Sequence, residues 1–199
     1  MKGEEAKTKT RTRIIAEGAV AVALSVILKD ILPPIFRLPQ GGSVSAAGMV
    51  PLFWFSLRYG LRAGLEIGLV YGLVHMALGG YMINPVQAIL DYPLAYAMLG
   101  LSGLFRKHPV AGVGAGILGR FICHFISGVA FFVIYAPEGM NPALYSAIYN
   151  GSYLAIEFII SSLIIYILVK KTVLLLHPHS VSFNLNLDSG MPEPICPRT

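Results

Sequence analysis

The sequence predicts an all-α integral membrane protein, a six-transmembrane-helix bundle with N- and C-termini cytoplasmic. Three observations carry this. The 199 residues are 55% hydrophobic and only 13% charged, about half the charge of an ordinary soluble domain, and the mean hydropathy is +0.69. Apolar runs of roughly 18–25 residues, long enough to cross hydrocarbon as helices, recur along the chain. Basic residues gather on alternate connections between those runs, the asymmetry that fixes membrane orientation.

The elements follow in order. Residues 1–13 are a basic leading segment with Lys2, Lys7, Lys9, Arg11 and Arg13. The first span is about 14–33. Its basic start and small residues have the look of a cleaved signal peptide. Glu17 interrupts its apolar stretch, however, and removal would leave five helices with conflicting loop charges, so the span is read as retained. The second span, about 46–60, is short, with Gly, Ser and Ala before "MVPLFWF". Further spans cover about 62–80, 87–105, 110–135 and 143–170. Pro and Gly clusters divide them: "LPPIFRLPQGG", "GGYMINP", "RKHP" and "YAPEGMNP". With the N-terminus inside, the inner segments also hold Arg58, Arg62, Arg106, Lys107, Lys170 and Lys171, eleven of the fifteen basic residues in all. The outer loops hold only Lys29 and Arg37. The membrane domain is therefore 14–176. Residues 177–199, with four prolines and no apolar periodicity, read as a disordered tail.

The net charge of +5 is distributed by membrane side, which points to lipid and away from nucleic acid. Cys123 and Cys196 form neither a disulfide framework nor zinc spacing, and no metal is expected. No Walker motif appears, so any ATP-driven step belongs to another chain.

Ionisable groups inside spans are costly and mark sites or helix pairings. Here they are Glu17, Glu66, His75, Asp91, Arg120, His124 and Glu157. The helical rise of about 1.5 Å per residue sorts them by depth. Asp91 lies near the outer face at the start of the fourth span. His124 is roughly 21 Å up the fifth span, level with it. Tyr145 and Asn150 fall in the outer half of the sixth, and Tyr81 in the outer loop. Glu17, Glu66 and Arg120 fall lower and read as structural. His75 reads as a hydrogen-bonded packing histidine, and Arg120 is a candidate partner for Glu157. A carboxylate among aromatic rings suits a flat cation, through charge and cation–π attraction, and the ligand would supply the positive charge that makes Asp91 tolerable. The position of the pocket argues for uptake.

"GLSG" at 100–103 with His124 imitates the serine motif of rhomboid intramembrane proteases. A nucleophile and its base must lie about 2.6–3.2 Å apart, whereas the rise per residue separates these two by roughly 15–20 Å. Small residues that permit close helix packing are the simpler account.

Five ordered blocks carry a family likeness: "MVPLFWFSLRYGLRAG", "GLVHMALGGYMINPVQAILDYPLAY", "GRFICHFISG", "YAPEGMNP" and "LYSAIYNGSYL". Over about 14–170 the chain resembles the thiamine-specific substrate-binding (S) component of bacterial energy-coupling factor (ECF) transporters. The resemblance implies a six-helix bundle with a thiamine pocket near the outer face of a prokaryotic plasma membrane, and no enzymatic activity. It implies no bound cofactor: thiamine is cargo, and the partners are an ECF transmembrane coupling subunit and two ATPase subunits that use ATP. By motif, the implied contacts are Tyr81, Asp91, Tyr92, His124, Phe132, Tyr145 and Asn150. Asp91 stands where the family usually has glutamate, and Phe132 where it has a stacking tryptophan. The tryptophan expected after the first span is absent, Trp54 being elsewhere. The loop at about 34–45 resembles the family's gating lid. Ala19 and Ala23, four apart on the first span, allow close helix approach, and the resemblance makes that face the docking surface for the coupling subunit. Two alternatives stand beside this reading: an S component or stand-alone carrier for another vitamin or aromatic cation, and, more remotely, an intramembrane serine protease.

Overall fold

The structure, a computed structural model, describes residues 2–45 and 47–171. The expected tail at 177–199 lies outside the described residues. Helix α1 (Lys2–Val26) continues into a π-helical turn at Ile27–Ile31. A small hairpin follows, in which β1 (Phe36–Arg37) pairs antiparallel with β2 (Ser43–Val44), Phe36 opposite Val44. Helices α2 (Val50–Tyr59) and α3 (Leu61–Ala77) are joined by Gly60 alone. Next comes an interrupted rod: α4 (Pro85–Ile89), a π turn at Leu90–Leu94, α5 (Ala95–Ala97) and a 3-10 stretch at Met98–Leu104. Two long helices close the chain, α6 (Pro109–Phe131) and α7 (Pro142–Lys171).

Each expected apolar stretch is thus helical, in the expected order, but the lengths differ. Among the described residues only α6 and α7 are single helices long and apolar enough to cross a membrane. Helix α2 has ten residues, about 15 Å of rise against a hydrocarbon core of about 30 Å. It packs deep in the bundle, with Leu52, Phe53 and Leu57 buried. The fourth stretch is broken because Pro93 lacks the N–H that would continue the α-helical ladder, and the turn around it widens.

Close backbone contact positions that widened turn. A Cβ on Gly72 of α3 would lie 2.6 Å from the Tyr92 carbonyl oxygen and 2.7 Å from Pro93 Cα. Gly68, one turn earlier, would meet Ala97 Cα at 2.9 Å. Only glycine lets α3 run this close beside the rod. The "GLSG" glycines act likewise: a Cβ on Gly100 would lie 2.6 Å from the Gly64 carbonyl carbon.

The exterior is apolar where a soluble protein is polar. Helix α6 exposes Leu118, Ile122 and Ile126, and α7 exposes Leu144, Ile148, Ile159 and Leu163, while Arg120, Ser127, Ser146, Asn150 and Glu157 are buried. Such contiguous apolar faces fit a hydrocarbon solvent. A second groove, about 510 Å³, opens between α1 and α2 and is lined by Ala16, Val20, Leu24, Trp54 and Arg58.

Candidate ligand-binding site

One cavity of about 540 Å³, a size ordinary for small-molecule sites, lies between the hairpin, the two π turns, the end of α3, and helices α6 and α7. Tyr81, Asp91, Tyr92, His124, Phe132, Tyr145 and Asn150 all line it, so the structure brings together every contact expected from the sequence. The π turns matter here. Their i→i+5 bonding reduces the rotation between successive residues, and each turn presents two neighbours to the cavity: Lys29 with Asp30, and Asp91 with Tyr92.

Asp91 is well supplied with donors. Its Oδ2 accepts from Gln87 Nε2 at 2.7 Å and Ser127 Oγ at 2.8 Å, and its Oδ1 lies 2.9 Å from His124 Nδ1. The other imidazole nitrogen, Nε2, accepts from Arg120 Nε at 3.1 Å. A guanidinium only donates. His124 Nε2 is therefore bare, and the ring proton sits on Nδ1, donated to Asp91. Arg120 also stacks over Tyr96, 3.9 Å from the ring centroid, and directs a second N–H at Met49 Sδ, 3.1 Å away.

This corrects two expectations. Asp91 does not depend on a ligand for compensation, because three donors and a guanidinium one imidazole away already supply it. Nor does Arg120 pair with Glu157 or lie clear of the site: it lines the cavity. Glu157 Oε1 instead accepts from Ser45 N at 2.7 Å and Ser45 Oγ at 3.0 Å, with Lys29 Nζ at 3.4 Å. Rise per residue gives depth but not the direction a side chain takes around the helix.

Aromatic rings make the remaining walls. Tyr145, Tyr149 and Tyr153 repeat every four residues on α7, with successive centroids 6.0 Å apart. Opposite them Phe132 packs between Tyr81 and Tyr135, at 6.2 and 5.9 Å, and the Tyr92 hydroxyl donates to the Tyr81 carbonyl at 3.1 Å. Asn150 braces helices as well as lining the cavity. Its amide donates to the His124 carbonyl at 3.2 Å, and its oxygen accepts from the Tyr153 hydroxyl at 3.1 Å. The hairpin is fastened over the site. The Tyr149 hydroxyl donates to the Pro39 carbonyl and accepts from Gly42 N, and Lys29 Nζ donates to Ser43 O and Oγ, both at 3.0 Å.

Sequence reasoning missed a second carboxylate. Asp30 lines the cavity, accepts from the Tyr71 hydroxyl at 3.1 Å and pairs with His75 Nδ1. It falls within the first apolar span, about 14–33, beside Lys29. His75 is hydrogen-bonded, as expected, but it too lines the cavity. Ser102 is fully buried and does not line the cavity. Both nitrogens of His124 are engaged elsewhere, so Ser102 has no base there.

An apolar-faced helical bundle around one polar, ring-lined cavity of this size defines the class of membrane binding and transport proteins. Comparison makes the class specific: a family profile described as thiamine transporter protein matches residues 15–177. The chain belongs to the thiamine transporter family, whose role is transport and not catalysis. It is 38% identical to the thiamine transporter ThiT of Bacillus subtilis, over 81% of this chain and 92% of that protein. It is 31% identical to ThiT of Lacticaseibacillus paracasei, over 78% and 86% respectively. The fold is similar to a solved structure of ThiT from Listeria monocytogenes, with a TM-score of 0.75 and 30% identity, covering 85% of this chain and all of that one.

Proposed function

We propose that this chain is a thiamine-specific S component, which captures thiamine from outside the cell in the cavity described above and releases it inward when docked to an ATP-driven ECF module. The observation that carries this is the shared cavity: in a member of the thiamine transporter family, the seven residues Tyr81, Asp91, Tyr92, His124, Phe132, Tyr145 and Asn150 line one site. Asp91 faces the thiazolium or the exocyclic amine, and the rings of Phe132 and Tyr145 take the planar faces. The membrane domain is 14–176, six crossings of the prokaryotic plasma membrane with both ends cytoplasmic, as the basic residues require. Ala19 and Ala23 form the docking face for the coupling subunit. Both are exposed on α1, whereas Gly18, Ala21 and Ser25 turn inward, which favours an external partner over packing within the bundle. Two ATPase subunits drive the cycle. Calorimetric titration of the detergent-purified chain with thiamine tests the reading. One saturable site is expected, and absence of binding would refute it.

A further inference from the structure

We propose that Arg120 is a positioning residue that locks His124 in its neutral, Nδ1-protonated form, so that a carboxylate and never an imidazolium meets the cationic ligand as the outside turns acidic. The inference rests on the cavity being the thiamine site and adds a regulatory property that the site's composition alone does not give.

The geometry is one-directional. Arg120 Nε donates to His124 Nε2 at 3.1 Å, and His124 Nδ1 points at Asp91 Oδ1 at 2.9 Å. A second proton on His124 would have to sit on Nε2, facing an N–H that cannot turn into an acceptor. Protonation therefore requires Arg120 to leave, and Arg120 is held from two other sides by the Tyr96 ring and Met49 Sδ. Only 5% of its surface is exposed. Among the described residues, the charged and titratable groups that act on His124 are Asp91 from the interrupted rod, Arg120 on its own helix, Lys29 from the π turn after α1, and Tyr153 from α7, whose ring centroid lies 6.2 Å away. Asp91 alone favours a second proton, and it is already satisfied by the first together with Gln87 and Ser127. An imidazole beside a carboxylate is ordinarily a proton-sensitive element. Arg120 removes that sensitivity while leaving the carboxylate's charge in place.

The test compares thiamine affinity of the wild-type chain and Arg120→Gln across the acid range. A glutamine amide either donates or accepts, so it no longer forbids the second proton. Once the second proton is allowed, acidification draws part of the His124 population into its charged form, and apparent Kd rises by the inverse of the fraction that stays neutral. The ratio of variant to wild-type Kd is expected to grow severalfold as the pH falls from about 7.5 to about 5.5. Protonation of thiamine itself is common to both proteins and cancels in that ratio. A constant ratio would overturn the proposal, since a merely structural role for Arg120 lowers affinity without reshaping the pH profile. Nitrogen NMR of His124 in the wild-type chain, without ligand, gives an independent reading should the variant not fold. One protonated nitrogen, Nδ1, is expected throughout that range, and two protonated nitrogens would refute the lock. Absence of thiamine binding by the wild type would refute the proposed function while leaving this NMR test standing.

Discussion

Asp91 Oδ2 is filled by Gln87 and Ser127, whereas Oδ1 has only His124. A carboxylate takes about four donors, so Oδ1 retains room for one from a ligand. Asp91→Asn removes the charge that attracts the cation and replaces an acceptor with an N–H donor. Thiamine binding should weaken by about 2–4 kcal/mol, measured as Kd by calorimetry, and an unchanged Kd would refute the role given to Asp91. At this scale the sequence announces charge well and neutral polarity badly. Asp91 and His124 stand out because acids and imidazoles are rare in apolar runs. Gln87 and Ser127 do not, since an amide or a hydroxyl on a helix has many ordinary uses. Asp30 is inconspicuous because it sits near the end of the first apolar run, and spacing alone does not place Arg120 in the cavity because it gives no bearing around the helix axis.

At the scale of elements, the close approach of α3 to the interrupted rod fixes where Asp91 and Tyr92 stand. Gly72→Leu would push the backbone at Tyr92 and Pro93. We expect a cost of about 1–3 kcal/mol, seen as a lowered thermal midpoint in detergent, together with weaker thiamine binding. Weaker binding with no loss of stability would locate the effect elsewhere. The outward face of α1 makes a separate prediction. Ala19→Leu should abolish uptake in cells while the purified chain still binds thiamine, and loss of binding itself would favour packing within the bundle. The order and approximate extent of the helices are legible from apolar runs and Pro/Gly punctuation. The π turns are not, because a widened turn is settled by a local contest between proline geometry and neighbouring backbone that hydrophobicity does not record.

Along its two long helices the molecule turns apolar side chains outward and buries polar ones, and the basic residues gather on the connections of one side, an unequal division. That division predicts sidedness. In a Cys196→Ser background, Lys107→Cys should react with a membrane-impermeant thiol reagent only after the cells are opened, and Glu138→Cys in intact cells. The opposite pattern would invert the proposed orientation. Cys123 is buried and should stay silent. Membrane placement was legible from composition, but the shortness of α2 was not, since an apolar run does not record at which residue its helix begins. The groove between α1 and α2 has a practical consequence. Trp54, the chain's single tryptophan, lines that groove and not the cavity. Excited at long ultraviolet wavelength, the protein should emit light that ignores thiamine yet shifts when a partner covers the Ala16–Val20 side of α1. Cargo loading and assembly would then be followed in one cuvette, by heat for the first and by colour for the second.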